Sequence, residues 1–133
     1  MAFLIDTSVW IQLEREKKRP RDVRTFIPGE SFALAAITAS EMLVGIHRAK
    51  TGSQRIRRQR FVETILQIAP VEEFDLPVAR VHAELAAQLD ESGLTIGTHD
   101  LLIAATAVSK SYAVLTHNVR EFGRVPGLEV RTV

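Results

Sequence analysis

The chain opens Met1-Ala2-Phe3-Leu4-Ile5-Asp6-Thr7-Ser8, four apolar residues from Ala2 to Ile5 running straight into a carboxylate. A strand with one wet face alternates polar and apolar residues, so a continuous short apolar run marks a strand buried on both faces. Phe32–Ile37 and Ala113–Leu115 have the same character, whereas Glu129–Val133 alternates and reads as an edge strand. Helical periodicity fills the intervals. Val9, Trp10 and Leu13 predict a first short helix that runs out in the charged stretch Arg15–Arg21, and Met42, Leu43 and Ile46 a second. Val62, Ile65 and Leu66 line a third, with Arg55, Arg57, Arg58 and Arg60 on its first turns. Val78, Val81, Leu85 and Leu89 form an amphipathic stripe, and Leu101–Val108 is apolar nearly all round, as a central buried helix should be. Buried strands alternating with helices predict an α/β domain whose mostly parallel sheet lies between helical layers. Gly52-Ser53, Gly93 and Pro126-Gly127 read as turns, and nothing marks a domain boundary or a repeat.

The composition narrows the chemistry. At 133 residues, 46% hydrophobic and 25% charged, the chain suits one globular domain spanning 1–133. A net charge of +1 excludes a globally basic nucleic-acid binder and leaves only local patches. The absence of cysteine excludes disulfides and thiolate metal sites. The apolar run before Asp6 is too short for a signal-peptide core or a membrane span, so a cytoplasmic, membrane-free protein is expected.

Carboxylates recur where strands end and helices begin. Asp6 follows the first strand, and ligands of open parallel sheets bind beyond the carboxyl ends of strands. Glu41 follows the second strand in Thr38-Ala39-Ser40-Glu41, and Asp100 opens the buried helix in Gly97-Thr98-His99-Asp100. Asn118 and Glu121 follow the third strand. Each acid taken singly also reads as a helix cap. Thr38-x-x-Glu41 and Asn118-x-x-Glu121 fit capping-box spacing, and Asp6 and Asp75 can cap the helices they precede. Asp100 resists that reading because Thr98 already offers a cap. Taken together, carboxylates gathered in one cleft repel one another unless a cation sits among them. With no cysteine and no His-x-x-x-His pair, an oxygen-only donor set suits Mg²⁺, with Mn²⁺ as a substitute, and phosphodiester cleavage is the chemistry such a site serves.

At these residues the chain resembles the PIN-domain family, and within it the VapC-type toxin ribonucleases. The resemblance lies in four segments, in family order across nearly the whole chain: Phe3–Trp10, Ile37–Glu41, Ile96–Ala105 and Leu115–Phe122. It implies a PIN-like three-layer fold and a Mg²⁺-dependent endoribonuclease, the toxin of a toxin–antitoxin pair neutralised by a VapB-like antitoxin. It implies a homodimer as well. Asp6 and Asp100 match the acids most directly tied to metal, and Glu41 matches the second acid. In many relatives an aspartate stands at Asn118, so either Asn118 contributes an amide oxygen or Glu121 supplies the fourth charge. Thr7 and Ser8 match positions whose hydroxyls orient ligands, and Thr98 stands in the segment that carries Asp100.

Other side chains are weighed beside these. Arg120 is the expected phosphate contact, while Arg55, Arg57, Arg58 and Arg60 form either a solvated helix face or an RNA-backbone contact. Trp10 reads as a packing or dimer-interface residue, and with Leu13 it is expected to supply part of a dimer surface. His99 and His117 adjoin site residues, but oxygen-metal nuclease chemistry does not need them, and His47 and His82 read as ordinary helix residues. The rival from another class is a non-catalytic PIN-fold RNA-binding or regulatory module, which has no need of a nearly full acidic set. An aspartyl-phosphate phosphatase would want a second aspartate where Ser8 stands, and no Gly-rich phosphate loop is present.

Overall fold

In the computed structural model, which describes residues 1–133, the first strand, β1 (Ala2–Ile5), lies at the middle of a five-stranded sheet. Its neighbours are β2 (Ser31–Ala35) on one side and β4 (Ala113–Thr116) on the other. β3 (Val71–Glu72) and β5 (Val130–Thr132) form the two edges, giving the order β3-β2-β1-β4-β5 with every pairing parallel. Parallel strands need long crossovers, and helices supply them. These are α1 (Thr7–Arg15), α2 (Ala36–His47), α3 (Gly52–Ile68), α4 (Leu76–Glu91), α5 (Thr98–Lys110) and α6 (Val119–Phe122).

The apolar run at the start explains this arrangement. Successive strand side chains point to opposite faces, so Phe3 and Ile5 enter one core while Leu4 enters the other. The first core packs Phe3, Ile5, Leu34 and Leu115 beneath α1, α2 and α3, with Trp10 and Leu13 fully enclosed. The second packs Leu4, Ala33 and Val114 against α4 and α5, where Ile103, Ala104, Ala105 and Ala107 let the helix lie close to the sheet. A layer of helices on each face is the three-layer α/β architecture that the sequence predicts.

Several boundaries differ from the sequence expectation. The run Phe32–Ile37 is cut at Ala35, which serves as N-cap, and Ile37 already belongs to α2. The two-residue strand β3 and a 3₁₀ helix at Pro20–Thr25 carry no periodic signal of their own, because neither is long enough to show one. Gly52 and Ser53 are not a turn. Thr51 caps α3, its hydroxyl accepting from the Gln54 amide at 3.1 Å, and the helix starts at Gly52. Gly93 and Gly127 do turn the chain, with φ of +67° and +75° that favour glycine. No helix is long and apolar enough to cross a membrane.

Candidate metal-dependent nuclease site

The sheet brings the expected acids to one edge. Neighbouring β1 and β4 pair in a register that sets Ile5 opposite Leu115, so Asp6 and Thr116 leave the sheet side by side. Strand order reverses about β1, and the crevice beyond the strand ends at such a reversal is where open α/β sheets bind ligands.

Asp6 is the most enclosed of the acids, only 4% exposed. It stands at the N-cap position of α1 yet makes no capping bond. Instead Ser8 Oγ and Thr116 Oγ1 donate to its Oδ2 at 2.7 and 2.8 Å. The two hydroxyls are themselves held, Ser8 Oγ accepting from the His117 amide at 3.2 Å and Thr116 Oγ1 from the Asn118 amide at 2.8 Å. Backbone thereby orients hydroxyl, and hydroxyl orients carboxylate, so Asp6 is held in one position with Oδ1 free of protein donors.

Glu41 is not a cap either. It is the sixth residue of α2, too far along to reach the cap amide, and Thr38 is the third, its buried hydroxyl without a partner. Glu41 Oε1 accepts from Thr7 Oγ1 at 2.8 Å, and its Oε2 lies 3.3 Å from His99 Nδ1. The bond from Thr7, on the first turn of α1, ties the second acid to the helix that follows Asp6.

The third group lies on α5 and α6. Asp100 sits in the first turn of α5, whose N-cap is Gly97. Thr98 is therefore the first helical residue rather than the cap; it is exposed and takes no part in the hydrogen-bond network. The Asn118 side-chain amide donates to Asp100 Oδ2 at 3.1 Å and to Glu121 Oε2 at 2.9 Å. That bridge replaces the capping box expected of Asn118 and Glu121, since Asn118 makes no side-chain cap to α6.

Burial raises the Asp100 carboxyl to about 6, reinforced by the charge of Asp6 and by a hydrogen bond with Glu121. Glu121 moves the other way, held below the ordinary carboxylate range first by Asn118 and then by its bond with Asp100. Of the acids here, Asp100 is thus the one whose charge the surroundings disfavour most. Oxygen donors alone, with too much negative charge for the space, fit an oxygen-seeking divalent cation. No three His, Asp or Glu side chains stand close enough together, as they lie, to hold a metal ion.

The remaining candidates separate cleanly. Arg120 is exposed and pairs with no carboxylate, and His99 and His117 are exposed at the rim. Trp10 and Leu13, each 1% exposed, are core residues, so neither supplies a dimer surface. The charged segment at the end of α1 and Arg57, Arg58 and Arg60 of α3, but not Arg55, line another trough. The residue that sequence reasoning missed is Thr116. Its signal is only that a threonine ends an apolar strand, and its placement beside Asp6 depends on strand pairing across 110 residues.

The structure is thus a three-layer parallel α/β domain with its acids at the carboxyl ends of the strands, where the strand order reverses. The PIN domain model matches residues 3–128, and the chain belongs to that family. It is 36% identical over 133 residues to ribonuclease VapC1 of Rickettsia felis, an alignment covering 100% of this chain and 97% of that protein. It is 25% identical over 130 residues to the tRNA(fMet)-specific endonuclease VapC of Salmonella typhimurium, covering 98% and 96%. Among solved structures, a chain of DNA-bound VapBC from Salmonella typhimurium superposes with a TM-score of 0.86 at 26% identity, covering 99% of this chain and 98% of that one.

Proposed function

We propose that this chain is a cytoplasmic, metal-dependent endoribonuclease, the toxin of a toxin–antitoxin pair silenced by a VapB-like antitoxin, with Mg²⁺ as its cation. The observation that carries this reading is the arrangement around Asp6, a buried carboxylate held by Ser8 and Thr116 whose charge helps to raise the carboxyl of a second acid, Asp100. A structural cap would satisfy helix amides. The Asp6 carboxylate satisfies none. The names of the relatives, ribonuclease and endonuclease, support the same reaction, and the VapBC complex supports an antitoxin partner.

In this reading Asp6 and Asp100 hold the cation, Glu41 joins them directly or through water, and Glu121 supplies the fourth charge. Bound there, a divalent cation lowers the pKa of an attacking water and offsets charge on the scissile phosphate. The chain's own contribution is orientation. Ser8 and Thr116 fix Asp6, Thr7 fixes Glu41, and Asn118 clamps Asp100 to Glu121 with its NH₂. Only the amide nitrogen can donate to two carboxylates, so Asn118 serves as a clamp and its oxygen is turned away from them. Arg120, exposed beside Glu121, is free to meet a phosphate. The rival reading, a non-catalytic PIN-fold RNA-binding module, gives no reason for four acids held by these four polar partners.

The test is cleavage of RNA by the purified chain. Cleavage should require Mg²⁺ or Mn²⁺ and cease in EDTA, and Asp6→Asn and Asp100→Asn should each abolish it while the fold is retained. Undiminished cleavage in chelator, or full activity in either variant, would overturn the metal mechanism.

A further inference from the structure

Seven of the chain's 17 lysines and arginines line one trough of about 800 Å³, on the flank where the end of α1 faces α3. Arg15, Lys17, Lys18 and Arg19 come from the end of α1 and the segment after it, and Arg57, Arg58 and Arg60 from α3, with Glu14 as the only acid. Because the whole chain carries a net +1, this concentration leaves the rest of the surface net acidic. Few of these charges are spent within the fold. Lys18 pairs with Glu16 at 3.2 Å, and Arg58 donates to the Gly45 carbonyl at 2.8 Å and lies 3.6 Å from Glu14. Arg15, Lys17, Arg19, Arg57 and Arg60 are exposed, and none is paired with a carboxylate.

Lys17 adds a second, independent observation. α1 ends in a Schellman motif, the Lys18 amide donating to the Leu13 carbonyl and the Lys17 amide to that of Glu14. The motif places its C′ residue in the left-handed region, where glycine is favoured, yet Lys17 stands there with φ of +56°. A cation is kept where the backbone would be more stable without a side chain, and such strain concentrates at working surfaces.

The trough also leads to the acidic site. It shares Glu14, Arg15, Arg58 and Phe61 with an adjoining cleft of about 270 Å³ that reaches Thr7 and Glu41. Arg15 lies about 12 Å along α1 from Thr7, at ~1.5 Å per residue. Carboxylates such as Asp6, Glu41 and Asp100 repel a polyanion, so a strand of phosphates needs a cationic hold away from the acids.

We propose that this trough binds the RNA backbone, as a sequence-independent anchor for a strand whose scissile phosphate lies at the acidic site. The assignment rests on the ribonuclease reading. The occupant is fixed by charge: unpaired arginines and a lysine lining an open trough suit successive phosphates, and guanidinium pairs them bidentately.

The experiment measures fluorescence anisotropy of a labelled 20-nucleotide single-stranded RNA with the full chain in EDTA, across a salt series. Arg57→Gln/Arg60→Gln should weaken binding at least tenfold at low salt. It should also flatten the slope of log K against log salt by about 0.7 for each phosphate that is no longer neutralised. Lys17→Gly should raise Tm and yet weaken RNA binding, a pairing that a merely structural lysine does not produce. In Mg²⁺ the double variant should raise KM and leave kcat unchanged. Unchanged affinity and salt slope in the double variant would overturn the anchor. So would tighter binding of the matching DNA than of the RNA, or loss of binding to a polyglutamate peptide while RNA affinity stays at the wild-type value. Binding in chelator is independent of cleavage. A flat result with cleavage intact removes the trough alone, and RNA binding through the trough without cleavage in Mg²⁺ removes the nuclease reading alone.

Discussion

Glu41 shows how position within a helix separates two roles that a sequence pattern leaves joined. Spaced three residues after Thr38, it reads equally as a capping-box acid or a metal ligand. Because α2 begins at Ala36 directly from β2, the cap amide is out of reach, and Thr7 becomes its partner at 2.8 Å. Glu41→Gln keeps an acceptor for Thr7 but removes the charge. Cleavage in limiting Mg²⁺ should therefore fall at least tenfold, about 1.4 kcal/mol of transition-state stabilisation, and recover in part at higher Mg²⁺. A normal rate would take Glu41 out of the site. Asp100 offers a pH test. Its carboxyl is raised from 3.8 to about 6, so between those values the folded chain binds a proton that the unfolded chain does not. The stabilisation this gives is complete below the unfolded value and is lost as pH rises through about 6. In EDTA, then, the Tm advantage of Asp100→Asn over the unaltered chain should be larger at pH 7 than at pH 5. An equal advantage at both would show that Asp100 is not strained by its neighbours.

Elements long enough to repeat their pattern are legible in the chain, and those that are not depend on what they pair with. The stripe Val78, Val81, Leu85, Leu89 becomes α4, and Asp75 caps it by accepting from the Val78 amide at 3.1 Å. β3, two residues long, exists because β2 offers it an edge, Leu34 pairing with Val71 and Ala35 with Glu72. Gly52-Ser53 misleads because glycine and serine signal turns, whereas a good cap one residue earlier overrides them. Thr51 is that cap, and its removal should be felt. Thr51→Ala should lower stability by about 1 kcal/mol, seen as a lower denaturant midpoint, while Thr51→Ser should restore it. No change in Thr51→Ala would mean that packing of Val62 and Ile65 alone holds α3 in place.

At the scale of the whole molecule, the two cores account for the large apolar residues that sequence patterning alone assigns to a possible interface. Trp10 packs against Phe32 with ring centroids 6.3 Å apart, inside the first core. The apolar side chains left most exposed are instead Leu76, Met1 and Ile56, at 63%, 59% and 53%. A homodimer is still our expectation, now through such surfaces rather than through Trp10 and Leu13. Light scattering should give twice the 14.8 kDa chain mass at micromolar concentration. A monomer across a broad concentration range would count against it.

The chain by itself determined its class of fold, because short uninterrupted apolar runs alternate with helical stripes, the pattern of a parallel sheet covered by helices on both faces. It also marked Asp6 and Asp100 as acids of interest, the one directly after a strand and the other in the first turn of a helix. What each acid does there was decided only by the tertiary structure. Thr116 reaches Asp6, Thr7 reaches Glu41 and Asn118 reaches Asp100, across 110, 34 and 18 residues of chain respectively. Periodicity and capping rules concern neighbours within a few residues. Hydrogen bonds between side chains on different strands and helices depend on register and packing, and those exist only once the sheet has formed.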